Sequence, residues 1–130
     1  MPYFQPQITL GRETVLDQPY KYYLHAVINC PRTSYRIGSH TLDASRTAMG
    51  QYSVTINLVR DANALDLAFD APLAWSLDLG SIAFPNDTGT FSVVVMVPAA
   101  QNNNPPTTGG SGTVSTGEAH DNPKPIPAGE

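Results

Sequence analysis

The sequence predicts an all-β domain: an antiparallel β-sandwich or small jelly roll of seven to eight strands, followed by an extended C-terminal tail. Three observations predict it. The dominant hydrophobic period is two rather than 3.6. Turn chemistry recurs at the roughly eight-to-twelve-residue spacing of sandwich strands. Past residue 98 the apolar residues that could build a core almost vanish.

Taken in order, PQITLG opens the domain as a short strand, and YKYYLHAVINC follows as a longer one. One face of the second run reads Tyr22, Leu24, Ala26 and Ile28, the other Lys21, Tyr23, His25 and Val27. SYRIGSHTL is a weaker strand. DASRTAMG is the only helical candidate, at most one or two turns, with Asp43 or Ser45 as cap and Gly50 as stop.

QYSVTINLV alternates cleanly, placing Tyr52, Val54, Ile56 and Leu58 inward. ALDLAFD repeats the pattern and predicts Leu65, Leu67 and Phe69 in the core. PLAWSLDLG does the same with Leu73, Trp75 and Leu77. Such alternation marks antiparallel strands with one face buried and one wet. A short SIAF strand and FSVVVMV complete the set, the latter sending Phe91, Val93, Val95 and Val97 inward.

Two strands are apolar on both faces, so both faces are expected to be covered. The tail or another subunit would cover Tyr23 and Val27 on one strand and Val94 and Met96 on the other. Residues 1–98 are thus read as the domain and residues 99–130 as the tail. From residue 101 onward the chain holds five prolines, five glycines and four apolar residues, too few to offset the entropy of ordering. Val114 and Ile126, its only large aliphatic side chains, are the expected plugs into neighbouring molecules. A chain ending at Ala100 is expected to fold like the whole.

Charge and composition exclude several classes. With 7 basic and 11 acidic residues the chain has a net charge of −4, the wrong sign for phosphate-backbone binding. Cys30 is the single cysteine, so there is no disulfide framework and no zinc spacing. No basic leader precedes an apolar stretch, and no run approaches the roughly 18 apolar residues of a membrane helix. The chain is therefore expected to be made in a cytoplasm and kept out of the membrane.

Catalytic and metal patterns are weak. Asp87-Thr88-Gly89 is the tripeptide of aspartic proteases, but Pro85 and Asn86 interrupt the strand that should lead into it, and Asn-Asp-Thr-Gly is ordinary turn chemistry. Asp66, Asp70 and Asp78 fall on predicted wet faces, where they read as solubilising charges more readily than as calcium ligands. His25, His40 and His120 show no ligand spacing, and no nucleophile elbow is present. No catalytic, cofactor-binding or metal residue is therefore assigned, and the chain is not expected to be an enzyme.

The best ligand patch on paper combines Tyr20, Tyr22, Arg32, Tyr35 and Arg36, residue types that suit an interface or a sugar ring. Two functional expectations result. The first is a structural subunit that assembles with itself and with a larger lattice, most naturally a virion protein such as a capsid decoration or tail component. The second is a carbohydrate-binding module. Trp75 counts against the second, because it follows the buried period of its strand.

Overall fold

The computed structural model describes residues 3–14, 16–43, 45, 49–85, 88–98 and 105–119. Its strands are β1 (Pro6–Glu13), β2 (Lys21–Cys30), β3 (Tyr35–Asp43), β4 (Gln51–Arg60), β5 (Ala71–Ser81), β6 (Thr90–Val97) and β7 (Thr107–Ser115). They form two sheets, a three-stranded one ordered β1-β2-β5 and a four-stranded one ordered β3-β4-β6-β7. This is the all-β sandwich that the period-two pattern predicts.

The strands alternate as the core requires. Val54 and Ile56 of β4 and Phe91, Val93 and Val95 of β6 are fully buried, facing Leu24, Ala26 and Ile28 of β2 and the indole of Trp75 on β5. Tyr22, Tyr52 and Phe84 surround Phe91 at ring-centroid distances of 5.3, 5.6 and 5.4 Å. Tyr22 is therefore a core residue and not part of a surface patch. Its neighbour Phe84 lies outside any strand, because the expected SIAF strand does not form beyond Ser81.

One pairing departs from the antiparallel expectation. β4 and β6 run parallel, with Val54 beside Val93 and Ile56 beside Val95. The chain leaves β4, crosses to the other sheet as β5 and returns, so β6 re-enters in the direction that β4 already has. All the other pairings are antiparallel.

The ALDLAFD segment is not a strand. It belongs to the β4–β5 connection (residues 61–70), and Leu65, Leu67 and Phe69 are 73, 41 and 56% exposed. A period-two pattern has two phases, and periodicity alone does not choose between them. Here Asp66 turns toward the protein because two arginines receive it, and the apolar side chains turn out. The helical turn expected after Asp43 lies mostly outside the described residues. Asp43 itself ends β3 and accepts hydrogen bonds from the Ser45 amide and hydroxyl at 3.0 and 2.6 Å.

The boundary expected at residue 98 does not end the sheet. Residues 107–115 pair antiparallel with β6 as β7, from Val97–Thr107 to Thr90–Ser115, with one register shift between Val95 and Met96. Val114, expected to plug a neighbour, is 5% exposed and lies beside Phe91 in its own chain's core. The glycines that read as linker have a packing role. A Cβ at Gly110 would stand 2.5 Å from the Phe4 carbonyl oxygen, and one at Gly112 would stand 2.9 Å from Ile8 Cδ1. They let β7 lie close against the start of β1 and close that side of the sandwich, where the Gln5 amide donates to the Ser111 carbonyl. A 3-10 turn at Thr116–Glu118 then fastens the end: Gly89 N–H donates to Thr116 Oγ1 at 3.1 Å, and Thr116 N–H to the Gly89 carbonyl at 3.0 Å. Ile126 lies outside the described residues.

Candidate functional site: a braced apolar loop

Three connections meet at one end of the sandwich: the segment before β1, the turn between β2 and β3, and the loop from Asp61 to Asp70. The β2–β3 turn, Pro31-Arg32-Thr33-Ser34, is polar throughout apart from its proline, and each of its last three residues grips the loop. Arg32 Nε donates to Asp66 Oδ1 at 2.8 Å and its Nη2 to the Asp66 carbonyl at 3.2 Å. Thr33 N–H donates to the Leu67 carbonyl at 3.0 Å, while Leu67 N–H returns a 2.9 Å bond to Thr33 Oγ1. Ser34 Oγ donates to Asp66 Oδ1 at 2.8 Å and accepts from Arg60 Nε at 2.7 Å.

Arg60, the last residue of β4, completes the brace with an Nη2–Asp66 Oδ2 contact of 2.9 Å. Its guanidinium stacks 4.7 Å from the centre of the Tyr35 ring, the residue opposite it in register. Hydrogen bonds from Arg32 and then Ser34 hold the Asp66 carboxyl below the usual carboxylate range. Arg36 is turned onto the Thr33 and Tyr35 carbonyls at 2.7 and 2.8 Å and faces Asp61 at 4.0 Å. Asp70 accepts from the Tyr3 hydroxyl at 2.7 Å.

The result is an irregular segment fixed by charge-assisted bonds, displaying three large apolar side chains to solvent. A loop backbone fixed before contact has less ordering entropy left to lose, which favours binding. Sequence reasoning missed Arg60, Ser34 and Thr33. The available signal was Asp66 and Asp70 placed between and after Leu65, Leu67 and Phe69, in a chain with arginines at 32, 36 and 60.

The residues singled out from sequence are distributed differently. Tyr20 stacks with Arg12 at 4.6 Å near the start of β2, while Arg32, Tyr35 and Arg36 lie past its far end. With Tyr22 buried, the Tyr/Arg patch is not assembled. On the outer face of β2, the central strand of its sheet, Tyr23 is buried and Val27 half-buried between the side chains of the two flanking strands. Tyr23 donates to Glu13 Oε2 at 2.6 Å, and this bond raises its pKa. Val94 and Met96 sit half-buried among hydroxyls, opposite Thr55 and Asn57 on β4, with Thr108 Oγ1 3.6 Å from the Met96 sulfur.

On that same outer face a depression of about 450 Å³ is lined by Asp43, Ser53, Ser92 and Thr113, a row running across all four strands. Asp66 and Asp70 lie at the braced end, and Asp78 near the opposite end of β5 beside Lys21. The three carboxylates are thus not brought together. Asn86, Asp87 and His120 lie outside the described residues. The Cys30 thiol is buried and its pKa is pushed up to about 11 by desolvation, which leaves it unreactive near neutrality.

His25 is 7% exposed, with Nδ1 2.7 Å from Ser76 Oγ. Burial lowers its pKa, so the folded state favours the neutral ring. The unfolded chain then binds the proton first. The stabilisation is complete above about pH 6.5 and is lost as pH falls from there through the lowered folded value. Urea midpoints of the wild type should therefore begin to drop below about pH 6.5, and His25→Gln should remove that component. Asp66 acts at lower pH: its stabilisation is present above the ordinary aspartate value and is lost on further acidification.

Compared with known proteins, the chain matches no family, and no curated protein or solved structure is similar to it. Among the described residues no helix is long and apolar enough to cross a membrane.

Proposed function

We propose that this chain is a non-enzymatic structural subunit that assembles with copies of itself within a larger symmetric lattice. A virion is the natural host, with the chain as a capsid decoration or tail component. The observation that carries the reading is the braced loop: Leu65, Leu67 and Phe69 held in the open by the Arg32–Asp66–Arg60 cluster. Fixing exposed apolar groups with this many bonds costs solubility and gives the isolated fold no burial in return. A contact surface explains the arrangement.

Charge supports self-association at this end. The whole chain carries −4, which opposes association elsewhere on the surface. At the loop, Asp61, Asp66 and Asp70 are offset by Arg32, Arg36 and Arg60, so two copies meet there without net repulsion. Aromatic residues at the centre of such a contact dominate its energy.

Sedimentation velocity across a wide concentration range tests this reading. The wild type should self-associate. Phe69→Ser should weaken association by about 2 kcal/mol or more, roughly thirtyfold, and Leu65→Ser with Phe69→Ser should leave a monomer. The melting midpoint should move little, since substitutions at exposed sites stay within about 0.5 kcal/mol. A double variant that associates like the wild type, or a wild type monomeric at every concentration, would refute the proposal.

A further inference from the structure

Three carboxylates tie the loop from Asp61 to Asp70 to the domain, and they do so unequally. Asp70 accepts one bond, from the Tyr3 hydroxyl at 2.7 Å, and Asp61 faces Arg36 at 4.0 Å. Asp66 accepts from Arg32 Nε and Ser34 Oγ at 2.8 Å on one oxygen and from Arg60 Nη2 at 2.9 Å on the other. Its donors come from two elements, the β2–β3 turn and the end of β4.

Two guanidinium groups therefore converge on one carboxylate. Arg60 is held beside Asp66 by its stack on Tyr35 and its bond to Ser34, and Arg32 by its second bond, to the Asp66 carbonyl. A neutral side chain at position 66 would leave two like charges facing the same point with no anion between them. Charge-assisted bonds of this kind are roughly twice as strong as neutral ones, so removing the charge weakens every side-chain bond of the brace at once.

The rest of the loop cannot hold the same position unaided. Its main-chain bonds to the Thr33 hydroxyl, at Leu65 and Leu67, lie at exposed positions where water competes for them. The flanking side chains oppose the observed phase, since Leu65 and Leu67 are turned to solvent. What keeps them there is the anion between them.

Taking the braced loop as the surface where copies meet, we infer that the ionised carboxylate of Asp66 is the positioning group for self-association. Copies join through Leu65, Leu67 and Phe69 only while that carboxylate is charged. Proton uptake acts through the same group. Bonds from Arg32 and then Ser34 lower its pKa, so the braced form is complete above the ordinary aspartate value and is given up as pH falls through the lowered one. Acid therefore weakens association, and Asn at this position reproduces the protonated state at neutral pH.

The wild type, Asp66→Asn and Asp66→Glu are compared near neutral pH by hydrogen exchange at high dilution and by sedimentation velocity across concentration. Asp66→Asn, the same shape without the charge, should speed exchange at the Leu67 amide of the dilute protein and weaken association at least about tenfold. Asp66→Glu keeps the charge and should lie closer to the wild type in both. The melting midpoint should hold in all three, because these ion pairs are more than a third exposed. Leu65→Ser with Phe69→Ser gives the contrast: association lost, with Leu67 exchange still slow. Unchanged Leu67 exchange in Asp66→Asn, or association as strong as that of an associating wild type, would overturn the role of Asp66 and leave the loop as the contact surface. A wild type monomeric at every concentration would overturn both.

Discussion

Ending the chain at Ala100 is expected to abolish cooperative folding. The deletion removes β7 entire, and with it the ladder along β6 from Thr90 to Val97. It uncovers Phe91 and Val93 on that flank and removes Val114 from the core. The bonds joining Thr116 to Gly89 are lost as well. One buried valine is worth about 1.5–3 kcal/mol, and the stripped edge leaves backbone groups unpaired beside a buried strand. The sum should exceed about 5 kcal/mol, the lower end of a domain's total stability. Circular dichroism on heating should show no sigmoidal transition. A truncated chain that melts like the full one would make β7 dispensable and restore the reading of residues 99–130 as a tail outside the domain.

Phe91→Ala should cost about 3–5 kcal/mol, the range for large aromatic truncations in cores. Its ring is fully buried and contacts Tyr22, Tyr52 and Phe84, each of which would lose a partner at a cavity wall. These partners come from the other sheet, the paired strand and the β5–β6 connection, so collapse into the cavity would have to move three elements together. Urea denaturation with an unchanged m-value checks the figure. A loss below about 1 kcal/mol would mean the aromatic cluster does not form as described.

The readable part of this sequence is the part where burial sets the period. Val54, Ile56 and Leu58 alternate with polar residues, Phe91, Val93 and Val95 keep the same period of two, and all six are buried. Where something other than burial chose the conformation, the pattern misled. Leu65, Leu67 and Phe69 alternate as well as any strand, yet the Asp66–arginine contacts select the opposite phase, and those arginines lie 6 and 34 residues away in sequence. In β7 the sequence TTGGSGT lacks side chains because β1 occupies their space, a reason visible only once the two strands are adjacent. For the doubly apolar β2 the sequence points to cover by the tail or another subunit; within the chain Tyr23 and His25 are buried on its outer face and Val27 is half-buried. What covers its outer face is its own flanking strands, through Glu13 and Ser76. The braced loop itself was hidden, because its parts lie on two connections joined by no local signal.

The account of function stands or falls on where copies of the chain touch. Hydrogen exchange followed on the dilute protein and on the concentrated, associated protein measures this directly. The braced-loop account predicts that association slows exchange at residues 62–70 and at the supporting turn, Arg32–Ser34, and leaves the outer face around Ser53, Thr55, Ser92 and Val94 unchanged. Unaltered exchange in the loop, with new protection on that outer face, would contradict it and place the contact on Val94 and Met96 instead.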